Sequence, residues 1–76
     1  MSERVKVVNR FFKTAVKSEV DELLRKIVFT ERQELIFSMY FIKKKDANFI
    51  ADTLGYSGSV IYYEINTIRE KLIKVL

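Results

Sequence analysis

Apolar side chains recur along most of the chain at the three- and four-residue spacings of amphipathic helices. The pattern predicts five helices, over residues 3–17, 19–28, 31–42, 47–54 and about 58–76. An unbroken helix over residues 3–28 is the alternative for the first two. The third helix is apolar on more than one face and is expected to be the most buried. With no proline and only two glycines, the composition favours helix throughout.

Polar residues suited to helix capping stand just before four of the predicted helices. They are Ser18, Thr30, Asp46 and Ser57. Gln33 completes a capping box with Thr30. Gly55 is expected to end the fourth helix, because glycine adopts the left-handed conformation without a steric penalty. Gly58 falls in the first turn of the fifth helix, where it either admits a nearby backbone or phosphate or is merely tolerated.

A short helix, a turn containing glycine and a longer helix together form the helix-turn-helix pattern. Ala51 is expected to lie where the two helices cross, with Leu54, Ile61 and Ile65 filling the corner. We therefore expect an all-α fold, a compact bundle of about five helices with a tri-helical helix-turn-helix core. Residues 1–76 are expected to form a single domain, in which N-terminal helices (1–29) pack on a helix-turn-helix unit (30–76).

A longer motif runs through this stretch: T-x-R, then I-A-x-x-L-G-Y-S, then an isoleucine and a distant K-L. Its residues are Thr30, Arg32, Ile50, Ala51, Leu54, Gly55, Tyr56, Ser57, Ile61, Lys71 and Leu72. On these residues the chain resembles the fourth conserved region of bacterial sigma factors, and is similar also to the LuxR-type DNA-binding domain. LuxR-type domains continue into a further helix, so the pattern favours a sigma-region-four-like unit, as in small regulators of bacteria, phages and mobile elements. The resemblance implies that residues 58–69 form a recognition helix that enters the DNA major groove.

The sequence departs from the family pattern on the outer face of that helix. Val60 stands where members usually carry Thr, and the face is expected to show Ser59, Tyr62, Tyr63, Glu64 and Asn66 in place of Lys or Arg. Residues 30–76 carry seven basic and six acidic side chains, so most of the chain's net charge of +4 lies before them. A sequence pI near 9.5 nevertheless fits an anionic partner such as nucleic acid.

Polar, basic and aromatic residues around the predicted turn are the candidates for DNA contact. They are Lys43, Lys44, Lys45, Ser57, Ser59, Tyr62, Tyr63, Asn66 and Arg69. The three lysines are expected to clamp phosphates, the tyrosines to touch phosphates or thymine methyls, and Asn66 to read adenine. The alternatives are a solvated lysine loop and tyrosines that partly bury themselves at the helix edge.

A second basic stripe is predicted on the first helix, opposite its apolar face. It consists of Lys6, Arg10, Lys13 and Lys17, at four- and three-residue spacing. Such a stripe suits phosphates or an acidic protein, and the alternative is a solvated polar face.

The composition argues against catalysis. The chain has no His and no Cys, and it shows no paired carboxylates, phosphate-binding glycine loop or nucleophile with an adjacent base. We therefore expect no enzyme activity, no cofactor and no metal. No apolar run approaches the roughly 18 residues of a membrane span, and no signal peptide is present, so a cytoplasmic protein of a bacterial cell is expected.

Two functions follow as hypotheses. The first is a small transcriptional regulator that binds duplex DNA through residues 58–69, acting as a homodimer because two-fold symmetry doubles its contacts. The alternative is a helix-turn-helix relic used as a protein-interaction module, which binds RNA polymerase, a sigma factor or another copy of itself. Exposed tyrosines and a weakly charged recognition helix favour the alternative.

Overall fold

A computed structural model describes residues 3–76, and this part of the chain is all-α, with five α-helices and no strand. The helices are α1 (Glu3–Thr14), α2 (Lys17–Leu24), α3 (Glu31–Phe37), α4 (Ala47–Leu54) and α5 (Gly58–Val75). A π-helical turn, the π segment (Ser38–Ile42), continues α3. The predicted all-α class and the order of five helices are confirmed. Every helix within residues 3–76 is too short or too polar to cross a bilayer.

The helix is interrupted between Thr14 and Lys17, so the predicted alternative of one continuous helix over residues 3–28 is wrong. Val16 lies in extended conformation and precedes the first residue of α2. The carboxylate of Glu19 accepts a hydrogen bond from the Val16 N–H at 3.0 Å. This bond satisfies a backbone donor that would otherwise be open at the helix start. The predicted cap at Ser18 is wrong for this reason, since Ser18 already lies within the helix.

The other three predicted caps are confirmed. Thr30 and Gln33 exchange hydrogen bonds, each main-chain N–H donating to the other side chain at 3.1 Å. Asp46 accepts from the Phe49 N–H at 2.8 Å. At the third cap, the Val60 N–H donates to the Ser57 hydroxyl at 3.3 Å.

The predicted helix over 31–42 changes character halfway. In the π segment the Lys43 N–H donates to the Ser38 carbonyl at 2.9 Å, one residue wider than an α-helical bond. The wider turn ends in Lys44, whose φ is 59°. Leu35 and Ile42 are about half exposed, so two of the apolar residues that suggested a highly buried helix lie partly in solvent.

The chain divides into two units. The central unit comprises Phe29–Ile68, and the N-terminal unit comprises the described residues up to Val28 together with Arg69–Leu76. Buried apolar side chains of the central unit are Ile36, Phe37, Phe41, Ala47, Ile50, Ala51, Ile61, Ile65 and Ile68. Those of the N-terminal unit are Val8, Leu23 and Leu72.

Polar contacts tie distant segments together within the N-terminal unit. Arg4 on α1 forms an ion pair with Glu70 on α5. The Lys71 ammonium donates to the Val28 carbonyl at 2.9 Å. These bonds link the end of α5 to both ends of the chain segment that precedes the central unit.

Candidate nucleic-acid interface

The helix-turn-helix corner of the central unit is built around one left-handed glycine. Gly55 ends α4 with φ 78°, and the N–H groups of Gly55 and Tyr56 both donate to the Ala51 carbonyl, at 2.9 and 3.1 Å. A residue with a Cβ resists this conformation. Ala51, Ile61 and Ile65 are buried beneath the corner, as their spacing predicted. The structure thus has a short helix, a tight turn and a longer helix in the predicted order.

The structure places four of the predicted contact residues on the exposed side of α5. Ser59, Tyr62, Tyr63 and Asn66 are all exposed, with Tyr62 at 56% and Tyr63 at 67%. We call these four residues the recognition face. Both tyrosines are more than half exposed, and the predicted alternative of partial burial at the helix edge remains compatible with these values. The face offers a hydroxyl, two phenols and an amide, which are groups with both hydrogen-bond donors and acceptors.

Glu64 does not lie on this exposed face, and the sequence prediction for it is wrong. It is only 3% exposed, and its carboxylate accepts from the Arg32 Nε at 2.6 Å and from the Gln33 Nε2 at 3.4 Å. The physical reason is its register: Glu64 lies three residues after Ile61 and four before Ile68, on the same inward stripe.

Arg32 therefore links α3 to α5 and also reaches the corner. Its guanidinium lies 5.1 Å from the centre of the Tyr56 ring. The hydrogen bond to Glu64 raises the pKa of Arg32, helped by the negative charge of that carboxylate and opposed by partial desolvation. Because the pKa of Arg32 is raised, its contribution to stability is lost as the pH rises through the folded-state pKa, in strong alkali.

The three lysines lie in an exposed loop between the π segment and α4. The Lys45 N–H donates to the Met39 carbonyl at 2.9 Å, and its ammonium lies 5.2 Å from the centre of the Phe49 ring. Lys44 holds the left-handed position of this loop. The loop thus has a defined backbone and presents its cationic groups at the surface.

The structure gives a different environment from the predicted one to three residues near the turn and on α5. The Ser57 hydroxyl accepts the cap hydrogen bond at the start of α5. Arg69 is half-buried and belongs to the part of α5 in the N-terminal unit. A Cβ added to Gly58 would meet nothing within 4 Å, so nothing in the fold requires glycine at that position.

The second basic stripe is shorter than predicted. Lys6, Arg10 and Lys13 are exposed on α1, and Lys6 lies 3.8 Å from the Glu3 carboxylate. Lys17 begins α2 beyond the break, so the prediction of four basic residues on one helix is wrong.

Sequence reasoning missed the polar cluster of Arg32, Gln33 and Glu64 inside the central unit. The register of Glu64 among the isoleucines was the signal that could have found it. Within residues 3–76, no cluster of three or more His, Cys, Asp or Glu side chains could hold a metal ion. Comparison with protein-family models, with curated proteins and with solved structures finds no match to this chain.

Proposed function

We propose that this protein is a small DNA-binding transcriptional regulator, whose recognition face enters the major groove. The observation that carries the proposal is the withdrawal of Glu64 from that face. An exposed carboxylate in the middle of a recognition helix would repel the phosphates and would also be acceptor-only toward base edges. Here the carboxylate is buried against Arg32, so the outer side of α5 presents neutral polar groups.

The chemistry of the recognition face suits direct readout. Asn66 matches the paired acceptor and donor that adenine shows in the major groove, and Tyr62 and Tyr63 suit thymine methyls or phosphates. Lys43, Lys44 and Lys45 supply the positive charge at the entrance to α4. In the helix-turn-helix arrangement the first helix crosses the DNA backbone, which is where cations stabilise the complex.

The test is fluorescence anisotropy of a labelled duplex of arbitrary sequence, titrated with the protein at two salt concentrations. We expect micromolar binding that weakens steeply with salt. Replacing the three lysines by Ala should reduce the salt slope by about 0.9 for each phosphate that a lysine neutralises in the complex. A folded protein that binds no duplex at low salt would overturn the proposal.

Once an operator is selected, a second titration tests base reading. Asn66→Ala should cost about 1–3 kcal/mol on the operator and little on other duplexes. Asn48→Ala, an exposed Asn on α4, is the matched control. Equal weakening on all sequences would show that Asn66 contributes no sequence information.

A protein-interaction module is the second candidate, because two observations favour it. Tyr62, Tyr63 and Phe49 are exposed aromatic side chains, which are enriched at protein interfaces. The central unit also holds more acids (Glu31, Glu34, Asp46, Asp52, Glu64) than bases (Arg32, Lys43, Lys44, Lys45). Failure of duplex binding, with retention on immobilised RNA polymerase or a sigma factor that Tyr62→Ala abolishes, would favour this function.

A further inference from the structure

The N-terminal unit carries a groove of about 590 Å³ on its surface. Its lining residues are Phe11, Ser18, Glu19, Glu22, Leu23, Lys26, Val75 and Leu76. Three elements of the unit therefore contribute: α1, α2 with the turn after it, and the end of α5. The lining combines apolar side chains of all three elements with charged side chains of α2 and the turn after it.

This unit leaves much of its apolar surface uncovered. Only three of its described apolar side chains are buried, Val8, Leu23 and Leu72. Val16, Val28 and Leu76 are 58%, 86% and 46% exposed. A unit of fewer than roughly 40 residues rarely buries enough surface to be stable by itself and commonly gains stability from association. Covering the groove would bury part of this remaining apolar surface.

Two opposite charges in the groove lining are separated along α2 and the turn that follows it. Glu19 on α2 and Lys26 in the turn both line the groove and are seven residues apart in sequence. Neither has an ion-pair partner within residues 3–76. Between them, Glu22 is already paired with Arg25 at 3.0 Å. The groove lining thus presents an acid and a base on either side of Glu22, whose charge is already paired.

We propose that a second copy of this chain docks on the groove, with the two α2 helices antiparallel about a two-fold axis. The axis lies near Glu22 and Leu23, so Glu19 of each copy faces Lys26 of the other. A two-fold interface uses the same patch on both copies and must be self-complementary, which this charge order satisfies. The inference goes beyond the proposed function, because the dimer forms whether or not DNA is bound.

Sedimentation equilibrium over a micromolar to millimolar range tests the dimer. Glu19→Lys alone and Lys26→Glu alone each place two like-charge pairs across the axis, and each should weaken dimerisation by about 10-fold or more. An equimolar mixture of these two variants should recover a heterodimer of near wild-type affinity. In that heterodimer one cross-axis pair keeps its wild-type charges and the other has them reversed, so both pairs are attractive. Asp21→Lys makes the same charge change on an exposed residue outside the groove lining and is the matched control.

Recovery on mixing separates an interface from a folding defect. Glu19 also bonds the Val16 N–H, so Glu19→Lys weakens the start of α2 slightly, and mixing would not repair that defect. A wild-type monomer at millimolar concentration, variants without effect, an equal effect of Asp21→Lys, or no recovery on mixing would each overturn the inference. A monomer that still binds duplex overturns this dimer alone, and a dimer that binds no duplex overturns only the proposed function.

Discussion

The lysine corner (Lys43–Lys45) and the glycine corner (Gly55–Ser57) both turn the chain of the central unit through one left-handed residue. That residue is Lys44 at the first corner, with φ 59°, and Gly55 at the second, with φ 78°. Each corner leads directly into a capped helix, with Asp46 as the cap of α4 and Ser57 as the cap of α5. Both corners therefore change the chain direction through a positive φ, one at a lysine and the other at a glycine.

Each corner also places a cation over an aromatic ring. Lys45 lies over Phe49 at 5.2 Å, and Arg32 lies over Tyr56 at 5.1 Å. The difference is in what holds the cation. Arg32 is fixed by the buried carboxylate of Glu64, whereas Lys45 lies in an exposed loop. The glycine corner is therefore braced from inside the unit, and the lysine corner is supported mainly by its own backbone.

The lysine corner carries a backbone cost that the glycine corner avoids. A left-handed conformation costs a residue with a Cβ roughly 1–2 kcal/mol, and glycine adopts it freely. Strained residues concentrate where a side chain serves function. The strain at Lys44 therefore makes this residue a candidate for phosphate contact, which the proposed function requires of the loop.

The largest expected effect comes from removing the brace at the glycine corner. Arg32→Ala leaves the Glu64 carboxylate buried without its guanidinium, and removal of one partner is far more damaging than removal of both. We expect the unfolding free energy, measured by urea denaturation, to fall further than for substitutions at Gly55 or at the helix caps. Lys45→Ala, which removes the exposed cation of the other corner, should change stability little.

The double variant Arg32→Ala with Glu64→Met tests the reason for that fall in stability. Because the buried charge is then gone, most of the stability should return. If the double variant is as unstable as the single one, the ion pair is not what braces the corner.

The second effect concerns the left-handed glycine. Gly55→Val should lower the unfolding free energy by more than about 1 kcal/mol, because a β-branched residue resists positive φ. Gly58→Ala is the matched control: its backbone does not require glycine, and the space around it is open. That control should be neutral or stabilising by up to about 1 kcal/mol. Equal melting of the Gly55 variant and wild type would mean that the turn lies elsewhere.

The third effect compares the two caps. Asp46→Ala should cost about 1 kcal/mol, within the usual range for removal of a side-chain cap. Ser57→Ala should cost less, since the cap distance is 3.3 Å at Ser57 and 2.8 Å at Asp46. Thermal unfolding followed by circular dichroism ranks the two. The reverse order would show that the cap distance does not set the relative importance of these two caps.

The two corners also show how much of the molecule could be predicted from its sequence. The glycine corner was predictable, because Gly55 and the capping residues act through local chemistry. The lysine corner was not, because the π segment follows α3 without a change in apolar spacing and Lys has no intrinsic preference for positive φ. The recognition face was found by helical periodicity, but the burial of Glu64 depends on Arg32, which lies 32 residues away.

The smallest expected effect is a gain in stability at the lysine corner. Lys44→Gly removes the left-handed strain of roughly 1–2 kcal/mol and adds the unfolded-state entropy of glycine, about 0.5–1 kcal/mol. The net result should be a stabilisation of about 0–1.5 kcal/mol in urea denaturation. The same variant should bind duplex more weakly, with a salt slope lower by about 0.9 if Lys44 contacts a phosphate.

Lys43→Ala is the control that separates charge from backbone, because Lys43 has an ordinary helical conformation. It removes one charge from the same loop without relieving strain, so it should weaken duplex binding and leave stability nearly unchanged. If Lys44→Gly stabilises the protein and duplex binding does not fall, then the strain at Lys44 serves no phosphate contact. The two corners would then differ in residue but not in function.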